Sequence, residues 1–426
     1  MYRVGFGDCF LLSIRSNGKL EHILIDCGAH YADLETIPQA VDNIAHETNG
    51  QLALVIATHN HKDHVSGFAT CEKRFSDFKV GEVWLPWTMD PEDSEARRLR
   101  EKQETLAAQL AFGLSAAGSR PELTAMLDNF AGPAMYDREL GIRNRHALEV
   151  LTYGFHRRDG KNGPPRVRYL AAHFGTNEPL QGPPMLSCLK ATLLAPARSK
   201  PFMAMMDPPK GHHFLGLAGG IRKTQKRAVR LSPFGEEWRV PSARYVSVDL
   251  WPPDMKSTLS GVLPDDIIPL ARWLEDAINN TSLVVHFSVM GKNLLFPGDA
   301  QWGSWISWMF ENGDTARGLS ARSQELLSCL DFLKVAHHGS VNATPRELVA
   351  NLAAKAAVMC STNRTAAYPQ VPLSSLLDAF DRRTENRLVL SDQIDIDGNE
   401  KAHKDLRERT LPSCYVRGPF WIDYTM

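Results

Sequence analysis

The chain has 426 residues, long enough for two average domains, and is 43% hydrophobic and 23% charged, which supports a large core and excludes disorder of the chain as a whole. Its 48 Lys+Arg and 49 Asp+Glu leave a formal charge of −1, which excludes a polycation. Over 156–230, however, 14 Lys/Arg face three acids (Asp159, Glu178, Asp207), and a local +11 of that kind marks a face suited to a polyanion.

Seven cysteines with no CxxC pair read as reduced thiols, hence as a cytoplasmic protein and not a disulfide framework. Asp8 interrupts any apolar signal core near the N-terminus. No apolar stretch approaches the ~18 residues of a membrane span, so no membrane association is expected.

In chain order, 9–14 and 21–25 read as two strands joined at Ser16-Asn17-Gly18. Residues 36–46 have helical spacing, stopped by Asn49-Gly50, and 52–57 is an apolar strand run followed by another at 81–85. Helices are expected at 92–118 and 121–130, then strands at 167–171 and 186–194 in a basic, Gly/Pro-rich setting. The section 90–253 thus reads as an insertion, helical and then loop-rich, within one domain spanning 1–426. The alternation resumes with helices at 265–277, 303–311, 320–330, 345–354 and 374–382, and strands at 282–288, 293–296, 332–336 and 357–361. The class is α/β.

The apolar run 52–57 leads directly into Thr58-His59-Asn60-His61-Lys62-Asp63-His64. His59 and His61 alternate, so both face one side of an extended segment. Asp63 and His64, at the turn into the next helix, can face a neighbouring ion. Imidazole with carboxylate suits Zn²⁺, Mn²⁺ or Fe. With 15 histidines in 426 residues, such a string is rare by chance.

This HxHxDH string resembles the signature of the metallo-β-lactamase fold superfamily. Ile25-Asp26-Cys27-Gly28 is similar to that superfamily's first motif, and Leu294-Leu295-Phe296-Pro297-Gly298-Asp299 to the motif whose Asp bridges two metals. Leu333-Lys334-Val335-Ala336-His337-His338-Gly339-Ser340 resembles the HHGS segment of one branch, the nuclease-like domain of ComEC-type competence proteins and their soluble relatives. Val4-Gly5-Phe6-Gly7-Asp8-Cys9, Asn280-Thr281-Ser282-Leu283 and Cys360-Ser361-Thr362-Asn363-Arg364 are similar to further elements of that branch, in order. The resemblance covers roughly 1–90, 186–196 and 265–370.

The resemblance implies a four-layer αβ/βα sandwich with the insertion packed over one side of the active face. It also implies two divalent cations, Zn²⁺ or Mn²⁺, that hold a hydroxide for attack on phosphorus. His59 and His61 would hold one ion, and Asp63, His64 and one of His337 and His338 the other, with Asp299 bridging. Asp26 would orient ligands from behind. Asp63, Asp26 and His338 are thus the expected catalytic group, and whichever of His337 and His338 does not bind metal contacts substrate or packs. Where the branch carries Gly-His-Pro, this chain has Ala367-Tyr368-Pro369, which by the resemblance implies that one metal site is weaker or completed by water. The superfamily's separate middle histidine has two candidates, His173 and His286, of which His286 lies in an apolar run and reads as a strand-face residue.

Asn363, Arg364 and Tyr368 are expected on the substrate side, and Arg222, Lys223, Lys226 and Arg227 against a phosphate backbone. His212-His213 reads as a surface pair, and Trp302, Trp305 and Trp308 as a helical core stripe. The function expected is a metal-dependent phosphodiesterase or nuclease on DNA or RNA. A small-molecule metallohydrolase (phosphoester, lactone or thioester) and a metal-deficient effector subunit are the alternatives.

Overall fold

The computed structural model describes residues 1–30, 36–101, 103, 140–173, 179–209, 211–214, 276–363, 370–393 and 411–426. Strands β1 (Cys9–Ser16) and β2 (Lys19–Cys27) form an antiparallel hairpin. Its two-residue turn, Asn17-Gly18, has φ of 51° and 76°, the positive values that match the twist of the flanking strands. Helix α1 (Ile37–Thr48) leads to β3 (Gln51–Ile56), and α2 (Lys62–Thr70) with a short α3 (Glu72–Phe75) leads to β4 (Lys79–Pro86). β2, β3 and β4 run parallel. Residues 52–56 are all apolar and buried because both faces of this sheet are covered. Helix α4 (Leu140–Tyr153) precedes β5 (His156–Arg157) and β6 (Arg166–Leu170), which both pair with β4.

The second sheet begins with β7 (Pro179–Leu180) and β8 (Leu189–Ala195). After α5 (Lys200–Met203) come β9 (Val284–Val289) and β10 (Lys292–Phe296), then β11 (Phe332–Lys334), β12 (Ala357–Cys360) and β13 (Leu388–Leu390). Their spatial order is β13-β12-β11-β10-β9-β8-β7, parallel from β10 to β13 and antiparallel from β7 to β10. Helices α6 (Trp302–Met309), α7 (Ala321–Cys329), α8 (Arg346–Asn351) and α9 (Ser374–Arg383) pack on its outer face. A C-terminal hairpin, β14 (Tyr415–Arg417) with β15 (Ile422–Tyr424), ties back to the N-terminus, where the Ile422 N–H donates to the Met1 carbonyl at 2.9 Å.

Two mixed sheets and their helices make an α/β sandwich, and strand alternation shows how it closes. Along β10, Leu294 and Phe296 join a core between the sheets with Phe10, Ile25 and Trp84, while Leu295 turns outward against α6 and α7. On the far side, Ile37, Val41 and Ile44 of α1, Phe68 of α2 and Leu151 of α4 cover Leu24, Val55 and Val83. The layers therefore run helix, sheet, sheet, helix. Trp302 and Trp305 are core residues of α6, and Trp308 packs partly buried beside them.

The section expected as an insertion over 90–253 contributes to both sheets where it is described. β6 extends the first sheet, β7 and β8 extend the second, and α4 covers the first. The helix expected over 92–118 is present over 94–101, and the remainder, together with 121–130, lies outside the described residues. The strand expected over 332–336 stops at Lys334, and 336–339 form a 3-10 turn instead. Among the described residues no helix is long and apolar enough to cross a membrane.

Candidate metal centre

The carboxyl ends of β2, β3, β10, β11 and β12 meet at one rim of the sandwich, where successive loops deliver polar side chains together. From β3 the chain runs through Thr58 and His59 to His61, which caps α2 in extended conformation, so Asp63 and His64 fall in the first helical turn. An acid in that turn faces the free N–H groups and positive end of the helix. His59, His61, Asp63 and His64 are all at most 2% exposed. Two glycines make this depth possible. A Cβ on Gly28 would lie 2.5 Å from the His64 nitrogen, and one on Gly7 2.7 Å from the Asp63 carbonyl oxygen. At the other sheet, Gly298 (φ 55°) lets the turn before Asp299 press on Thr58, where a Cβ would meet Thr58 Cβ at 2.7 Å.

Ligand atoms of Asp63, His64, Asp299 and His338 all lie within 4.8 Å of one another, as do those of His59, His61 and Asp63. Asp299 Oδ2 is 3.1 Å from His64 Nε2 and 3.5 Å from His338 Nε2, and Asp63 Oδ2 is 3.1 Å from His338 Nε2. Oxygens behind the rings aim them. His64 Nδ1 donates to Asp26 Oδ2 at 2.8 Å, and His338 Nδ1 donates to the Ser361 carbonyl at 2.9 Å. Asp26 is itself held by the Thr58 N–H (2.7 Å) and hydroxyl (2.8 Å). Phe6 covers His338 at a ring distance of 4.5 Å.

The donor set fits a divalent cation. His59 Nε2 and Asp63 Oδ1 are buried with no hydrogen-bond partner, a state costing about 1–3 kcal/mol for each polar group. Neutral imidazole nitrogen and carboxylate oxygen are the ligands that would bind such an ion. These buried groups could hold a metal ion.

Carboxylates crowd this centre. Asp8, Asp26, Asp63 and Asp299 are buried together, and Lys334 is the ammonium among them: its Nζ contacts Asp8 Oδ2, lies 3.3 Å from Asp299 Oδ1 and donates to the Gly298 carbonyl at 2.9 Å. Burial opposes charge on His64, yet Asp299, Asp26, Asp63 and Asp8 together raise its pKa well above the usual imidazole value. His338 is raised in the same way, against burial, by Asp299, Asp63 and Asp8. Burial pushes His59 well down, with His64 and His61 adding to it, and lowers His61 to about 4. Asp299 sits well below the usual carboxylate range: burial opposes this, but His64, His338 and Lys334 outweigh it.

His337 and His338 both adopt left-handed backbone (φ 46° and 52°), unusual for two consecutive side-chain-bearing residues. His338 enters the cluster, and His337 lies at its rim with its side chain 16% exposed and Nε2 3.9 Å from Asp299 Oδ2. Neither candidate for the middle histidine joins them: His173 is exposed beyond β6, and His286 on β9 bonds Asn293 of β10 at 3.1 Å. His212 is partly exposed, and its ring packs on Trp302 at 5.2 Å and bonds Glu347 at 2.5 Å. Asn363 lies two residues beyond Ser361, whereas Arg364, Tyr368, Arg222, Lys223, Lys226 and Arg227 lie outside the described residues.

The described basic residues of 156–230 are largely paired within the protein. Arg158 meets Glu21, Arg166 and Arg168 meet Glu82 at 3.6 Å, Arg198 meets Asp93 at 2.7 Å, Lys200 meets Glu95 at 4.0 Å, and Arg157 meets Asp159 at 2.6 Å. Most of those acids come from outside the segment, so Glu21, Glu82, Asp93 and Glu95 offset much of the charge of its described residues. Sequence reasoning missed the Asp8–Lys334 pair. Its signal was a lysine inside the apolar run 332–335, which needs a buried carboxylate to sit there.

No family model matches the chain, and no curated protein matches it.

Proposed function

We propose that the protein is a metal-dependent hydrolase of the metallo-β-lactamase type that cleaves phosphodiesters in DNA or RNA. The observation that carries this reading is the convergence of His59, His61, Asp63, His64, His338 and Asp299, with ligand atoms left unpaired inside, at the carboxyl ends of strands from both sheets. His59 and His61 would hold one cation, Asp63, His64 and His338 the other, with Asp299 between. Two Zn²⁺ or Mn²⁺ ions, when bound, would supply a water activated near neutral pH and positive charge for the phosphoryl oxygens. The chain's own part is positional: Asp26 fixes the His64 ring, the Ser361 carbonyl fixes His338, and Lys334 holds one oxygen of Asp299 so that the other faces the imidazoles. Phe6 excludes water from one side of His338.

Nucleic acid as substrate draws on the ComEC-type resemblance and on the basic run containing Arg222, Lys223, Lys226 and Arg227. The internal pairing of Arg158, Arg166, Arg168 and Arg198 favours a second reading, a hydrolase of small phosphoesters. Incubating the purified chain with labelled single- and double-stranded DNA and RNA, with Zn²⁺ or Mn²⁺ against a chelated control, separates the two. Metal-dependent cleavage of a polymer supports the first. Turnover confined to a small chromogenic phosphoester replaces it with the second.

A further inference from the structure

Cys9 opens β1 and Cys27 closes β2, and the two face each other across the hairpin. Just past this pair the Gly28 N–H donates to the Asp8 carbonyl at 3.0 Å. A bond in that place makes Cys9 and Cys27 a pair with no ladder bond between themselves. That is the closer of the two antiparallel kinds, with Cα atoms typically about 4.5 Å apart. A disulfide spans roughly 4.4–6.8 Å between Cα atoms, so this pair can close with little backbone movement. Both side chains enter the core beneath α1 and α2, and their thiols share a hydrogen bond. Both are free thiols in this structure, and both are 0% exposed. A bond at the short end of the range is of the strained kind that other thiols reopen.

The pair is joined to the metal centre through both strands. Asp8, next to Cys9, donates its N–H to the Asp63 carbonyl at 2.9 Å. Asp26, next to Cys27, holds the His64 ring. The Cys27 sulfur also supports α2: a Cβ on Gly67 would stand 2.6 Å from it, and Gly67 lies one turn beyond Asp63 and His64. Closing the two sulfurs to a bond of about 2.05 Å moves Cys27 Sγ away from Gly67 and draws the Asp8 end of β1 with it. A close-packed interior passes such a shift on to its neighbours.

We propose that Cys9 and Cys27 form a reversible disulfide that loosens the metal centre, so that the thiol–disulfide balance around the protein sets its hold on metal. The co-reactant is a low-molecular-weight disulfide. One cysteine sulfur attacks a sulfur of that disulfide, and the other half leaves as a thiol carrying the proton. The second cysteine attacks the mixed disulfide and expels the remaining half as a second thiol. Two protein thiols are thus oxidised while one disulfide is reduced to two thiols. Neither sulfur is exposed, so reaction requires the end of β1, an edge strand among the described residues, to lift. The inference rests on the reading of the centre as a metal site and not on its substrate. Linkage is reciprocal: a bond that weakens metal binding is itself opposed by bound metal, by the same factor.

The test equilibrates the full chain in mixtures of reduced and oxidised glutathione, with and without buffered Zn²⁺, then quenches with acid and maps disulfides by mass spectrometry. The parent is expected to form a Cys9–Cys27 bridge as the mixture becomes oxidising. Zn²⁺ should raise the oxidised share needed for half-bridging. Competition with a chromophoric chelator should show the bridged chain binding Zn²⁺ more weakly by about tenfold or more, restored on thiol reduction. Cys9→Ser should bind Zn²⁺ like the reduced parent at every glutathione ratio, whereas Cys71→Ser, changed in the same apolar cluster, should behave as the parent. If Cys9→Ser folds poorly, Cys9→Ala, which brings no hydroxyl into the core, takes its place. No Cys9–Cys27 bridge in fully oxidised glutathione, or a bridged chain with the affinity of the reduced parent, would overturn the inference. A reduced parent that binds no Zn²⁺ overturns the metal reading itself, and the coupling with it.

Discussion

Lys334 Nζ lies 3.3 Å from Asp299 Oδ1, on the side of that carboxylate away from His64, whose Nε2 approaches Oδ2 at 3.1 Å. One oxygen is thus held by an ammonium and the other is turned to the imidazoles. Lys334 is 1% exposed and also meets Asp8, so its charge is compensated on two sides. Lys334→Met should leave both carboxylates buried without their cation, at a cost of about 3–5 kcal/mol. Denaturant unfolding of the metal-free protein measures it, and a loss under about 1 kcal/mol would show that the pair is not the counter-charge described.

Asp63 belongs to both ligand groups. Asp63→Ala should abolish hydrolysis while the circular dichroism spectrum stays that of the parent, because the residue contacts the centre and not the apolar core. Undiminished turnover by purified, metal-loaded Asp63→Ala would place the chemistry elsewhere.

Asp26 acts on His64 from behind and does not face the other imidazoles at bonding distance. Asp26→Asn keeps the shape and one acceptor oxygen but loses the charge that holds His64 Nδ1. Metal affinity should fall about 10–100-fold, read by competition with a chelator. Parent-like affinity would show that His64 needs no such partner.

Gly28 tests the close approach of the first sheet to α2. Its Cβ would stand 2.5 Å from the His64 nitrogen, and backbone there cannot yield cheaply. Gly28→Ala should destabilise the protein by about 1–3 kcal/mol and weaken metal binding together, whereas Gly18→Ala, with open space around it, should leave metal binding alone. Melting curves with and without added Zn²⁺ report both effects.

The basic run outside the described residues gives the substrate prediction. If Arg222, Lys223, Lys226 and Arg227 contact phosphates, log affinity falls with log salt by about 0.9 per contact on duplex and about 0.7 on single strands. Four contacts would cost roughly a hundredfold over a fourfold rise in salt. Replacing all four with Ala should weaken binding to every sequence and flatten that slope, while turnover of a small phosphodiester survives. Equal binding by parent and variant, measured by fluorescence anisotropy, would leave the small-substrate reading in first place.

Local pattern carried much of this in the sequence alone. The Asn17-Gly18 turn, the apolar run into His59, and the strand that leads to Asp299 are each determined by neighbours within a few residues, so α/β class and most strands were legible there. So was the grouping of His59, His61, Asp63 and His64, because a strand end followed by a helix start places all four within one turn of chain. Tertiary structure alone decided the rest. It set His338 inside and His337 at the rim, since adjacent residues in left-handed backbone point apart for reasons no spacing reveals. It paired Lys334 with Asp8 and set Glu21, Glu82, Asp93 and Glu95 against a run of arginines and lysines that looks uncompensated when read along the chain. Charge acts through space, and the partner that cancels it is chosen by the packing of sheets whose strands are far apart in sequence.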